Sequence, residues 1–227
     1  MSSWQLKRLN IIVGALGSGK TELAINLALY LAARKPTAIV DLDIINPYYR
    51  TRYTKDKLEK MGLEVICPPH GIMQADIPAL PASILGVITG EDRYGVFDVG
   101  GDDIGATVLG RFKTFLPSGQ YAVFFIINTC RPAMGTPENI ITMLNGIERA
   151  SRVKVTYLVN NTNLGSATDV ATVASGYQVV AEVSRQTGIP VAFTAAHEEL
   201  QEEVAGLDLG TPVFLLHRFM RPPWDEE

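Results

Sequence analysis

In Gly14-Ala15-Leu16-Gly17-Ser18-Gly19-Lys20-Thr21, two glycines separated by four residues are followed at once by a lysine and a threonine. These residue types in this order suit a polyphosphate. A glycine-rich bend lets backbone N–H groups approach the anion, Lys20 adds a point charge at the β- and γ-phosphates, and the Thr21 hydroxyl completes a Mg²⁺ shell otherwise made of phosphate oxygens and water. Such a bend has to open a helix, where the first N–H groups have no intrahelical partner and the macrodipole is positive. The flanking sequence supplies both elements. Leu9, Ile11, Ile12 and Val13 form a short apolar run suited to a buried strand, and Leu23, Leu27 and Leu31 with Ala24, Ala28 and Ala32 recur at helical spacing within 20–34.

Two other strand candidates deliver carboxylates. Tyr94-Gly95-Val96-Phe97-Asp98 ends in Asp98, placed to hold Mg²⁺ directly or through a water, as a Walker-B aspartate does. Gly101, three residues on, gives an Asp-x-x-Gly spacing by which a backbone amide can sense a γ-phosphate. Ala38-Ile39-Val40-Asp41-Leu42-Asp43 carries two carboxylates on one side of a strand, near the phosphate loop if that strand lies beside the first. Asp43, nearer the loop, is the candidate to orient an attacking water. Asp41 is assigned to the metal or to a strand-end turn.

Apolar strand candidates recur at 9–13, 37–42, 64–67, 94–98, 121–128, 154–160 and 190–194, with helices clearest at 20–34, 137–150 and 168–187. This alternation predicts βαβ units and a mainly parallel sheet covered on both faces. Thr136-Pro137-Glu138 starts one helix, and Gly188-Ile189-Pro190 stops another. The region 44–93, broken by Pro47, Pro68, Pro69, Pro78 and Pro81, reads as long connections.

The 227 residues fit one domain, 1–227, and the hydrophobic fraction of 47% is enough for a packed sheet core. No uninterrupted apolar run is long enough to span a bilayer, and no secretory leader opens the chain, so a cytoplasmic protein is expected. The net charge of −4, with scattered basic residues, gives no strong nucleic-acid signal. Cys67 and Cys130 lack metal spacing and read as reduced thiols, and His70, His197 and His217 show neither zinc nor triad spacing. His197, beside Glu198 and Glu199, fits either a base pocket or a helix start. Asp102 and Asp103 read as a solvated acidic loop. The closing Arg221-Pro222-Pro223-Trp224-Asp225-Glu226-Glu227 does not resemble a basic amphipathic membrane-targeting tail.

Gly14–Thr21, the helix through Ala32, and Asp41-Leu42-Asp43 with Pro47 resemble the MinD/ParA/CobQ/CobB family of nucleotide-binding proteins, within the broader class of signal-recognition GTPases and dethiobiotin synthetase. The likeness is closest over 9–47, with Asp98 and Asn160 as further anchors. It implies a P-loop NTPase: a doubly wound sheet of seven or eight strands with helices on both faces, binding ATP with Mg²⁺, and a homodimer or protein partner. On the family's pattern Asp43 matches the water-activating residue and Asp98 the Walker-B aspartate. Many members carry a lysine after the first glycine of the loop, reaching across a dimer. Here that residue is Ala15, so another cation has to serve, with Arg50, Arg52 and Arg131 as candidates.

GTP-specific relatives place Asn-Lys-x-Asp where this chain has Asn160-Asn161-Thr162-Asn163. An amide at Asn163 cannot supply a charged, doubly accepting partner to guanine, so ATP is expected, with Asn160 contacting the base. Three functions follow: a slow Mg-dependent ATPase acting as a switch for a partner protein, with Lys20 and Asp43 catalytic; a biosynthetic enzyme that uses ATP to activate a small-molecule carboxylate, resembling dethiobiotin synthetase or the cobyrinate amidase domain; or a nucleotide-binding module without turnover.

Overall fold

The computed structural model describes residues 5–42, 55–67, 82–101 and 103–220. Eight strands, β1 (Leu9–Gly14), β2 (Thr37–Leu42), β3 (Leu63–Ile66), β4 (Tyr94–Val99), β5 (Tyr121–Ile127), β6 (Tyr157–Asn160), β7 (Val191–His197) and β8 (Val213–Leu216), form one sheet. Its order is β3-β2-β4-β1-β5-β6-β7-β8, and every neighbouring pair is parallel. Among the described residues, seven helices accompany the strands: α1 (Lys20–Ala32), α2 (Lys55–Lys60), α3 (Ala82–Thr89), α4 (Asp103–Phe112), α5 (Pro137–Ser151), α6 (Val170–Thr187) and α7 (Gln201–Ala205).

The sheet is apolar on both faces because both are covered. β1 is buried at all six positions, and its side chains divide by alternation. Leu9, Ile11 and Val13 join the cluster that includes residues of α3, α4, α5 and α6. Ile12 faces the other cluster, with Leu23, Leu27 and Leu31 of α1. The helix punctuation follows the local chemistry. Thr136 accepts the Asn139 N–H at 3.4 Å with Pro137 at the first turn, Asp169 accepts the Thr172 N–H at 2.8 Å, and Gly188 ends α6 in the left-handed conformation at φ 73°.

Several expectations change. β6 starts at Tyr157 rather than 154, and α6 begins at Val170, not 168. α2 and α3 lie in the region read as long connections, where β3 matches the strand candidate at 64–67 to within a residue, while α4, α7 and β8 were not anticipated. β2 does not lie beside the first strand: β4 intervenes. No helix among the described residues is long and apolar enough to cross a membrane.

Candidate functional site

The bend between β1 and α1 is held from several sides. Gly19 is the N-cap of α1 with φ 85°, and no side chain caps the helix start. That φ favours glycine, and a β-carbon there would stand 2.4 Å from Asn161 Nδ2 and displace its amide. The Ala15 carbonyl accepts the Ser18 N–H at 3.2 Å and the Lys20 ammonium at 2.9 Å. Asn161, just beyond β6, donates to the Ser18 carbonyl at 2.7 Å, and Arg131, beyond β5, donates through Nε to the Gly17 carbonyl at 2.8 Å. The Ser18 hydroxyl is buried without a hydrogen-bond partner among the described residues. Leu16 instead faces outward, 66% exposed.

Gly14 pairs with Ile126 at the end of β1. Ala15 is packed into the core, 5% exposed. A long cationic side chain there would have to leave a closed position, whereas Arg131 reaches the loop from outside.

The sheet register brings the acidic strand ends to the same level. Asp98 pairs with Ile12 of β1 on one side and with Asp41 of β2 on the other. Thr21, in the first turn of α1, donates its hydroxyl to Asp98 Oδ2 at 2.6 Å, a charge-assisted bond. Hydroxyl and carboxylate oxygens beside a phosphate loop are the hard donors that Mg²⁺ takes, completed by phosphate oxygens and water. Asp41 is buried one strand farther from the loop than expected. Gly101 lies directly on the loop: a methyl group there would fall 2.6 Å from Leu16 N and 2.7 Å from Lys20 Nζ. Asp43, Arg50, Arg52 and His70 lie outside the described residues.

The loop opens into a cavity of ≈ 320 Å³, the lower end of the range for small-molecule sites. Lys20, Thr21 and Arg131 line it together with residues of the β6–α6 connection, α6, β7, the end of β8 and the segment after it. Asn160 is not on this surface. It is fully buried, its amide donating to the Val173 carbonyl at 3.1 Å and its oxygen accepting the Thr162 N–H at 3.2 Å. Its neighbours Asn161, Thr162 and Asn163 line the cavity instead. Asn163 is tied to its own turn, donating to the Asn161 carbonyl at 2.7 Å and accepting the Gly165 N–H at 3.2 Å.

His197, at the end of β7, stands at the start of a short 3₁₀ turn and also borders the cavity. Nδ1 accepts the Glu199 N–H at 3.5 Å and caps a short 3₁₀ turn, while the ring lines the cavity. Its Nε2 is buried with no hydrogen-bond partner among the described residues. Glu22 is the cavity's carboxylate. Burial pushes its carboxyl above the ordinary value, opposed by the N–H groups of Phe219 and Met220 and by the charge of Arg218.

Leu216, Arg218 and Met220 also line the cavity and were missed by sequence reasoning. A signal was there. Val213-Phe214-Leu215-Leu216 is an apolar run behind Gly210-Thr211-Pro212, the pattern of a short buried strand that would deliver its following residues to this edge.

The sequence matches no protein-family model and no curated protein. Among solved structures, the chain is similar to the cell division protein FtsY of Thermotoga maritima, with a TM-score of 0.57 at 18% identity, over 83% of this chain and 61% of that one. It is similar to FlhF complexed with GMPPNP and Mg²⁺, with a TM-score of 0.56 at 15% identity, over 85% and 67%. The signal recognition particle receptor FtsY of Elizabethkingia anophelis, in complex with GDP, gives a TM-score of 0.55 at 18% identity, over 88% and 60%. The chain thus spans 60–67% of the length of these structures. At this identity the likeness establishes the fold, an eight-stranded parallel α/β sheet of the P-loop NTPase type.

Proposed function

We propose that this chain binds a purine nucleoside triphosphate with Mg²⁺ at residues 14–21 and hydrolyses it slowly, as a switch for a protein partner or a second copy. The observation that carries the reading is one constellation: a glycine bend gripped by Asn161 and Arg131, Lys20 folded onto it, and Thr21 bonded to Asp98 at the mouth of one cavity. Bound Mg²⁺ would neutralise phosphate charge, held by Thr21 and Asp98. Lys20 and the loop amides bind and orient the phosphates, and Gly101, against the loop, conveys γ-phosphate occupancy to the chain that follows it. Asp43 orients the water, as the MinD/ParA/CobQ/CobB resemblance implies. Arg131 supplies, from within the same chain, the extra cation that Ala15 cannot.

ATP is the base we favour. Guanine presents two adjacent donors that a carboxylate matches, and the cavity offers the amides of Asn161 and Asn163 in that region. Its carboxylate, Glu22, is on α1 and accepts backbone N–H groups. GTP is the second reading, favoured by the guanine nucleotides bound in FlhF and in the Elizabethkingia FtsY.

The test is phosphate release by the purified chain with Mg²⁺ and either ATP or GTP, alone and with small carboxylic acids. Release from ATP alone, lost in Asp43→Ala with binding retained, is the expected result. Strict dependence on an added carboxylate would favour the biosynthetic reading, binding without release the module, and a clear GTP preference would overturn the base assignment.

A further inference from the structure

Residues 217–220, which follow β8, are tied across the start of α1. The His217 N–H donates to Asn26 Oδ1 at 2.8 Å, and the Asn26 amide returns a bond to the His217 carbonyl at 2.9 Å. One helical turn earlier, the Glu22 carboxylate accepts the N–H groups of Phe219 and Met220 at 2.5 and 2.9 Å. Glu22 and Asn26 are four residues apart and so share a face of α1. Between the two ties, Arg218 lines the cavity, and among the described residues its guanidinium has no hydrogen bond or ion pair.

The surroundings narrow what this cation is for. Lys20 and Arg131 already contact the phosphate loop, whereas Arg218 makes no bond to it and follows Leu216, which pairs with His197 across β7 and β8. The lining contributed by α6, β7 and the segment from Leu216 is apolar at Val173, Ala195, Ala196, Leu216 and Met220, with His197 and Arg218 as its polar members. A guanidinium can pair with a phosphate or stack on an aromatic ring, and with the loop already contacted by Lys20 and Arg131, a planar, weakly hydrated cation beside apolar side chains suits the face of a ring. We propose that residues 217–220 are a wall of the base slot and that Arg218 stacks on the purine ring. This rests on the nucleotide reading above and extends it: the α1 turn that opens at the phosphates also fixes the wall against the base.

The test compares equilibrium binding of Mg-ATP and of Mg-tripolyphosphate, the same kind of anion without a base, to the full chain and to three variants. Arg218→Ala is expected to weaken ATP about fivefold and leave tripolyphosphate unchanged. Arg218→Lys keeps the charge but not the plane and is expected to behave like Arg218→Ala. Asn26→Ala, which cuts the His217 tie, is expected to give the same ATP-selective loss. Unchanged ATP binding by Arg218→Ala, equal weakening of both ligands, or full rescue by lysine would overturn the stacking role while leaving nucleotide binding intact. If the unaltered chain binds neither ligand, the nucleotide reading falls, and this one with it.

Discussion

Gly101→Ala tests how closely the turn after β4 packs on the phosphate loop. The added methyl would lie 2.6 Å from Leu16 N, 2.7 Å from Lys20 Nζ and 2.9 Å from the Ala15 carbonyl carbon. The ammonium is the tip of a flexible side chain and can swing away, although that breaks its bond to the Ala15 carbonyl. The two backbone atoms cannot. Ordinary contact begins near 3.4 Å, so the loop must retreat by about 0.5–0.8 Å. Overpacking of this kind costs about 1–3 kcal/mol. For a chain of this size each kcal/mol lowers the melting midpoint by about 2–4 °C. Thermal unfolding should therefore show a drop of several degrees, and the stabilisation given by Mg-ATP should shrink, because the displaced amides no longer converge on the phosphates. Gly146→Ala is the control. Gly146 lies within α5 with nothing within 4 Å of the new methyl, so this change should stabilise by about 0.5–1 kcal/mol. If Gly101→Ala melts with the unaltered protein and keeps its full response to nucleotide, the packing of Gly101 on the loop is wrong as described.

Asn161→Ala removes the donor to the Ser18 carbonyl and should cost about 1 kcal/mol of stability, with a larger loss in nucleotide affinity because the loop loses one of its grips, as read by calorimetric titration. Glu182 gives a pH dependence. Hydrogen bonds from Arg185, then Gln186, pull its carboxyl from 4.5 to about 2. Its folded value is below the unfolded one, so its contribution is present above about 4.5 and is lost as the pH falls toward 2. Glu182→Gln should flatten that part of the stability profile, measured by denaturant unfolding at a series of pH values.

The strand, bend and helix around Gly14–Thr21 were legible because they are contiguous and each carries its own signal. Asp98 and Gly101 were legible for the same reason, as a strand end and a fixed spacing. What local pattern does not encode is strand order. Asp41 was placed near the loop on the assumption that β2 adjoins β1, and β4 stands between them. Short elements also escaped, since α2, of six residues, gives too few turns to stand out among prolines. Asn160 shows another limit. The cluster of asparagines was visible, but not which amide would be spent inside the fold; Asn160 satisfies the Val173 carbonyl and the Thr162 N–H, and its neighbours face the cavity. The strand before Arg218 carried a signal, but the tie of its segment to α1 did not, because that depends on bonds that span 191 residues or more.

Those long-span bonds have a consequence for biosynthesis. A ribosome makes α1 early, yet Glu22 and Asn26 find their acceptors and donors only after residue 220 has been added. A nascent chain stalled before β8 would carry the glycine bend intact with one side of its chamber missing. The cavity wall formed by residues 217–220 therefore cannot close on α1 until β8 and the four residues after it have been made.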